Sequence, residues 1–281
     1  MEKILNFRDA GLGETMAKGI LFRSAALDRA SEKDLKIVTG TLQVSTLIDL
    51  RAPKEVFKQE NGDSQQHISD YYKTIVAGKD PLVLPVAKAI VNINLAHSIR
   101  EAIWSSVSWM AKIWFVILMI CGYKHYGEKQ LIQQSMLGRD KLFGLNKGFL
   151  LYGTSYLKDF FEILTHKEAY PVIIHCSAGK DRTGLTIALL QLLMGVQRSV
   201  IVKEYAKSYD LLEKKSLELA VGKMGLSEEF AWSRPETMEK TLDYIDTRFG
   251  GIEKYLLSIG ITADKQEKIK RLLSSGTDSK L

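Results

Sequence analysis

Ten consecutive residues hold the chemistry of this chain: His175-Cys176-Ser177-Ala178-Gly179-Lys180-Asp181-Arg182-Thr183-Gly184. A helix N-terminus and nearby cations can draw a cysteine pKa down by several units. The thiolate formed at Cys176 can attack phosphorus, making a cysteinyl-phosphate that water later resolves. Arg182 offers a planar fork of donors for two phosphate oxygens, and its grip strengthens as charge develops in the transition state. Ser177, Ala178, Gly179, Lys180, Asp181 and Arg182 are the expected phosphate-binding residues, with Gly179 and Gly184 permitting close backbone approach. Thr183 is placed to hydrogen-bond the Cys176 sulfur as it leaves. His175 precedes the nucleophile, which suits orienting the loop better than base chemistry. The reaction calls for no metal and no other cofactor.

A phosphate ester also needs a proton donor for its leaving oxygen. Asp181, inside the loop, is the leading candidate. Asp49 is the runner-up, because it ends a strand whose C-terminal edge should face the same crevice. An ion pair with Arg51 explains Asp49 equally well. Lys180 adds a cation that favours polyanions, so phosphoinositides compete with phosphotyrosine as substrates.

The elements that must position this loop are legible on either side of it. Pro171–His175 is a short apolar strand, and Gly184–Met194 is apolar nearly all round, as a helix in the centre of a domain must be. A loop leaving a strand and entering a helix aims successive N–H groups, and the positive helix end, at one point. Further strands are expected at Ile20–Arg23, Val44–Leu50 and Tyr71–Val76. A helix opens at the capping box Ser31-Glu32-Lys33-Asp34 and runs to about Val38. Another is carried by Lys158–His166, with Leu157, Phe160, Phe161 and Leu164 on one stripe. From Val200 the pattern is helical. Strands interleaved with helices predict an α/β fold with a mostly parallel sheet, a helical C-terminal section and a hydrophobic helical elaboration at about 85–137.

Residues 102–123 stand apart, with Lys112 as their single charge. The length approaches that of a membrane span, but Lys112, three serines and the lack of a second such segment argue against one. Trp104, Trp109 and Trp114 are five apart, which spreads them around a helix. A buried or lid helix is the leading reading, and a surface-bound membrane element the next. Within this stretch Cys121 has no polar neighbour and reads as inert buried packing.

Composition narrows the classes further. The 281 residues are 46% hydrophobic and 26% charged, which excludes a disordered or collagen-like chain. Two cysteines cannot build a disulfide framework or a four-cysteine zinc site. A balance of 39 Lys+Arg against 33 Asp+Glu favours anionic partners mildly. The charge is dispersed and no nucleic-acid motif accompanies it, so nucleic acid is not an expected partner. The N-terminus lacks a secretory pattern, and a cytoplasmic setting that preserves a free thiol is expected.

The run HCSAGKDRTG resembles the active-site loop of the cysteine-based protein tyrosine phosphatase superfamily. More narrowly, it is similar to the bacterial and fungal tyrosine/serine phosphatases that have HCxxGKDRTG. Asn6-Phe7-Arg8-Asp9-Ala10-Gly11, Leu21-Phe22-Arg23-Ser24-Ala25, Asp49-Leu50-Arg51-Ala52-Pro53-Lys54-Glu55 and Phe249-Gly250-Gly251 through Tyr255-Leu256 resemble other elements of that family. These matches span nearly the whole chain and imply one phosphatase domain over 1–281. The resemblance implies phosphotyrosine as substrate, with wider specificity reaching to phosphoinositides, and it supports Asp181 as the acid. Residues 78–130 match only loosely. Two other classes stay open: a phosphate-binding module without turnover, and a membrane-associated adaptor resting on 102–123.

Overall fold

The computed structural model describes residues 1–12, 15–56, 68–77, 88–212 and 228–274. Its centre is a six-stranded sheet numbered in chain order: β1 (Arg8–Asp9), β2 (Leu21–Ser24), β3 (Thr46–Asp49), β4 (Lys73–Val76), β5 (Ala89–Asn92) and β6 (Val172–His175). The spatial order is β1-β2-β6-β3-β5-β4, parallel throughout except for β1. Successive residues of β6 alternate between two cores. Val172 and Ile174 join the larger one, and Ile173 joins the smaller with Phe22 and Leu47. Burial on both faces explains the unbroken apolar run that marked this strand in the sequence.

Register decides what the sheet presents at its edge. His175 lies opposite both Ser24 and Asp49, and Asp49 lies opposite Asn92. The carboxyl ends of four adjacent parallel strands therefore finish in one row, where open parallel sheets place their ligands.

Two short helices, α1 (Glu32–Lys36) and α2 (Pro53–Val56), come first. The predicted capping box is present, with Ser31 accepting from the Asp34 amide and Asp34 from the Ser31 amide. The helix ends two residues earlier than expected, because Ile37–Thr41 widens into a π-helical turn. Next come α3 (Ser98–Ser106), α4 (Trp109–Ile120), α5 (Lys124–Gln134), α6 (Met136–Tyr152) and α7 (Thr154–Ile163). After β6 follow α8 (Asp181–Leu193), α9 (Arg198–Asp210), α10 (Pro235–Phe249), α11 (Ile252–Ser258) and α12 (Ala263–Ser274). Helix α8 is buried on nearly every side, as its composition required.

Three expectations need correction. Strand β5 lies within 85–137, so that stretch is not wholly a helical elaboration; Ala89–Asn92 is a central strand, buried between β3 and β4. The 102–123 segment is not one buried helix. Ser108 caps a new helix by accepting from the Ala111 amide, and the two helices meet at 111°. Only Ala111 and Leu118 of α4 are buried. Cys121, at the end of α4, is exposed and not packed, because nothing among the described residues covers the outward side of that helix.

Candidate active site

Cys176 leaves the end of β6 directly into the loop, and α8 begins at Asp181, so Asp181 and Arg182 occupy the first turn of the helix. Five carbonyls of this loop and its flanks accept hydrogen bonds. Those of His175, Ser177 and Lys180 accept from the amides of Leu50, Ala26 and Gly184. Asn6 Nδ2 donates to the Ala178 carbonyl at 3.1 Å and to that of Gly179 at 2.9 Å. Arg23 Nη2 donates to the Gly179 carbonyl at 2.6 Å. Among the described residues, the main-chain N–H groups of Ser177, Ala178, Gly179 and Lys180 meet no protein acceptor. Buried amides are otherwise almost always paired. Four open donors in succession, beside the positive end of α8, form a cradle for an oxyanion.

Both glycines have a steric reason. Gly179 has φ +64°, and a Cβ there would lie 2.1 Å from the Ser24 carbonyl oxygen. A Cβ on Gly184 would lie 2.8 Å from the Tyr205 ring, so its absence lets α8 approach α9 closely.

The side chains that tie down the loop are tied in turn. Arg23 is fully buried and donates to Glu204 Oε2 at 2.6 Å. Arg8 donates to Glu204 Oε1 at 2.6 Å and to Ser208 Oγ at 3.0 Å, and also holds Asn6 Oδ1. One carboxylate thus bridges two arginines beneath the cradle.

Arg182 is held from the front. Its two terminal nitrogens each donate at 3.0 Å to an oxygen of Glu55, and Nη1 also reaches the Leu50 carbonyl. Glu55 further accepts from Ser177 Oγ at 2.7 Å. Burial pulls the Arg182 pKa down, but the charges of Cys176, Glu55 and Asp181 outweigh it and leave the guanidinium pKa raised. Burial likewise pushes the Glu55 carboxyl up, and its bonds to Arg182 more than reverse this. Glu55 is therefore a positioning residue for Arg182. Glu55→Gln should lower kcat/KM for an aryl phosphate by up to about 10²-fold through lost orientation, with the thermal midpoint little changed. An unaltered phosphate inhibition constant in that variant would remove this role.

Lys180 does not face the loop opening. It is 1% exposed, and its ammonium donates to the carbonyls of Phe230 at 2.7 Å and Trp232 at 2.8 Å. Asp181 Oδ1 lies 3.0 Å from the same nitrogen. A buried ammonium needs such partners, which explains why the cation turns inward. The Lys180 side chain is therefore engaged within the protein, while its main-chain N–H belongs to the cradle. Asp181 keeps about a quarter of its side chain exposed. Thr183 is buried, and its hydroxyl hydrogen-bonds nothing among the described residues, so the expected bond to the Cys176 sulfur is not made.

Asp49 is occupied as an ion-pair partner. Arg51 Nη2 donates to it at 2.8 Å and Arg51 Nε at 2.9 Å, while the far side of the guanidinium engages Asp28. Burial raises the Asp49 carboxyl, yet neighbouring His175 and Arg51 outweigh this and hold it below its ordinary range. Burial lowers the His175 pKa too, so at neutral pH the ring is uncharged and Arg51 carries the effect. A carboxyl held so firmly ionised is a poor proton donor. Its stabilisation should be complete above the unfolded carboxylate pKa of about 3.9 and vanish as pH falls through the lower folded value. Asp49→Asn should cost about 3 kcal/mol at neutral pH, near the low end for a broken buried pair because Arg51 keeps Asp28. Urea midpoints of both proteins should converge toward acid pH; a pH-independent gap would contradict the ion-pair account.

The signals missed in the sequence are Arg23, Glu55 and Glu204. The first two sit in segments that resembled the family, but nothing local indicated which atoms they would meet. Glu204 carried no signal.

A cysteine at the end of a central parallel strand, a row of open amides and an arginine in the first turn of the following helix form the arrangement expected of the cysteine-based phosphatase class. The chain belongs to the tyrosine phosphatase family, whose model it matches over residues 1–275. It is 33% identical over 126 residues to a tyrosine-protein phosphatase of Nostoc commune, covering 40% of this chain and 42% of that relative. It is 31% identical over 120 residues to the triple specificity protein phosphatase PtpB of Mycobacterium tuberculosis, covering 37% of this chain and 44% of that relative. The aligned stretches span less than half the length of these curated relatives.

Proposed function

We propose that this protein hydrolyses phosphate monoesters through a cysteinyl-phosphate, with phosphotyrosine in proteins as its preferred substrate. The four open amides of Ser177–Lys180 beside Cys176 carry this reading. The Cys176 thiolate attacks phosphorus as the ester P–O bond breaks, and protonated Asp181 gives its proton to the leaving oxygen. Water then attacks the phosphocysteine, Asp181 takes its proton, and the P–S bond breaks to free the thiolate and inorganic phosphate. Arg182 and the loop amides stabilise the charge on the equatorial oxygens in both steps.

Substrate choice is read from Lys180. With its donors directed to Phe230, Trp232 and Asp181, it offers no free cation to a second phosphate. That favours a site for a single phosphate group over one selective for phosphoinositides. The test is a panel of phosphotyrosyl and phosphoseryl peptides and phosphoinositides, assayed with wild type and Lys180→Ala. The phosphotyrosyl peptide should have the highest kcat/KM. Preferred phosphoinositide turnover that Lys180→Ala selectively abolishes would overturn the assignment.

A further inference from the structure

Helix α4 displays an apolar surface that the catalytic site does not use. Trp109 is 69% exposed and Ile120 81%, and Met110, Ile113, Trp114 and Ile117 are exposed along the same helix. Its only buried contacts run through Ala111 and Leu118, where Phe115 and Leu118 close onto Gly127 of α5. An exposed apolar face of this size on a soluble domain marks an interaction site.

Charge and aromatic content identify the partner. No Asp or Glu occurs between residues 102 and 127, while Lys112 and Lys124 lie within that stretch. Arg100 and Lys129 flank it, against Glu101 and Glu128, so the arm is net cationic. Three of the four tryptophans of the chain are here, all exposed, with Tyr123 and Tyr126 exposed just beyond α4. Lys112 sends its ammonium over the Trp104 ring, 5.4 Å from the centroid. Aromatic rings, cations and aliphatic side chains without carboxylates match the headgroup boundary of an anionic bilayer. Twelve residues of helix reach about 18 Å, well short of a hydrocarbon core. No described helix is long and apolar enough to cross a membrane alone.

We infer that α4 lies in the plane of an anionic lipid surface and docks the protein there through its exposed tryptophans and isoleucines. The arm is also tied to the catalytic loop. Helices α3 and α6 share an apolar cluster with Phe230 and Ala231, and the Phe230 carbonyl accepts from Lys180. The inference does not depend on catalysis, so its failure would leave the proposed reaction untouched.

The test uses the full chain with vesicles of phosphatidylcholine containing about one-third phosphatidylserine, and with pure phosphatidylcholine vesicles. Flotation should carry the protein with the anionic vesicles only, with a blue shift of tryptophan emission, and high salt should weaken binding. Trp109→Glu/Ile120→Glu changes the two most exposed of these positions, and should reduce the bound fraction about tenfold or more. Turnover of a soluble aryl phosphate by that variant should match wild type, showing that it folds. A wild-type protein that stays out of the floated fraction would overturn the inference. So would a variant that floats equally, or a wild-type dimer that the variant converts to monomer with no vesicle effect.

Discussion

Cys176→Ser removes turnover of a small aryl phosphate by about 10⁴-fold or more, as loss of an enzyme nucleophile generally does. The chemical reason is ionisation. A thiol becomes a thiolate under the field of a helix N-terminus and nearby cations, whereas a serine hydroxyl stays protonated unless a base takes its proton. His175, the adjacent residue, has a pKa lowered by burial, and its ring is engaged with the Cys176 backbone, while its Nδ1 has no hydrogen-bond partner. The substitution changes one buried atom and leaves the Asn6 and Arg23 bonds to the loop in place. The variant should therefore still bind a phosphotyrosyl peptide, measured by calorimetry, with an unchanged thermal midpoint. Wild-type turnover by Cys176→Ser would sink the mechanism.

Asp181→Asn should lower kcat/KM by about 10²- to 10⁴-fold for esters of poorly acidic alcohols and phenols, the range of general acid catalysis. The loss should shrink as the leaving group becomes more acidic, because a stable phenolate departs without a donated proton. A plot of log kcat/KM against leaving-group pKa should thus be steep for the variant and shallow for wild type. Asp49→Asn, assayed where it remains folded, should keep the shallow slope, since the Arg51 pair already holds Asp49 ionised. If the two variants exchanged these slopes, the acid would be Asp49.

Much of this site was legible before any coordinates. Cys176, Asp181 and Arg182 are neighbours in the chain, and the strand and helix around them are apolar runs with local causes. The capping box at Ser31 is a local device as well, and it formed as read. What escaped was distant. Glu55 meets Arg182 across 127 residues, and Glu204 meets Arg23 across 181. No spacing rule links such pairs. Strand β5 was drawn into the helical region because four apolar-rich residues do not distinguish a buried strand from a helix.

The sequence by itself determined which thiol, which guanidinium and which carboxyl share one loop, and that a buried strand and helix hold it. Those follow from covalent order and from local propensity, which need no distant partner. Tertiary structure alone decided where the charged side chains point. Lys180 turned inward because two carbonyls from residues 230 and 232 meet it there, and Asp49 turned to Arg51. It also decided that α4 keeps its apolar side outward. The orientation of a charge, and the exposure of an apolar face, depend on which distant atoms are available to satisfy or cover them.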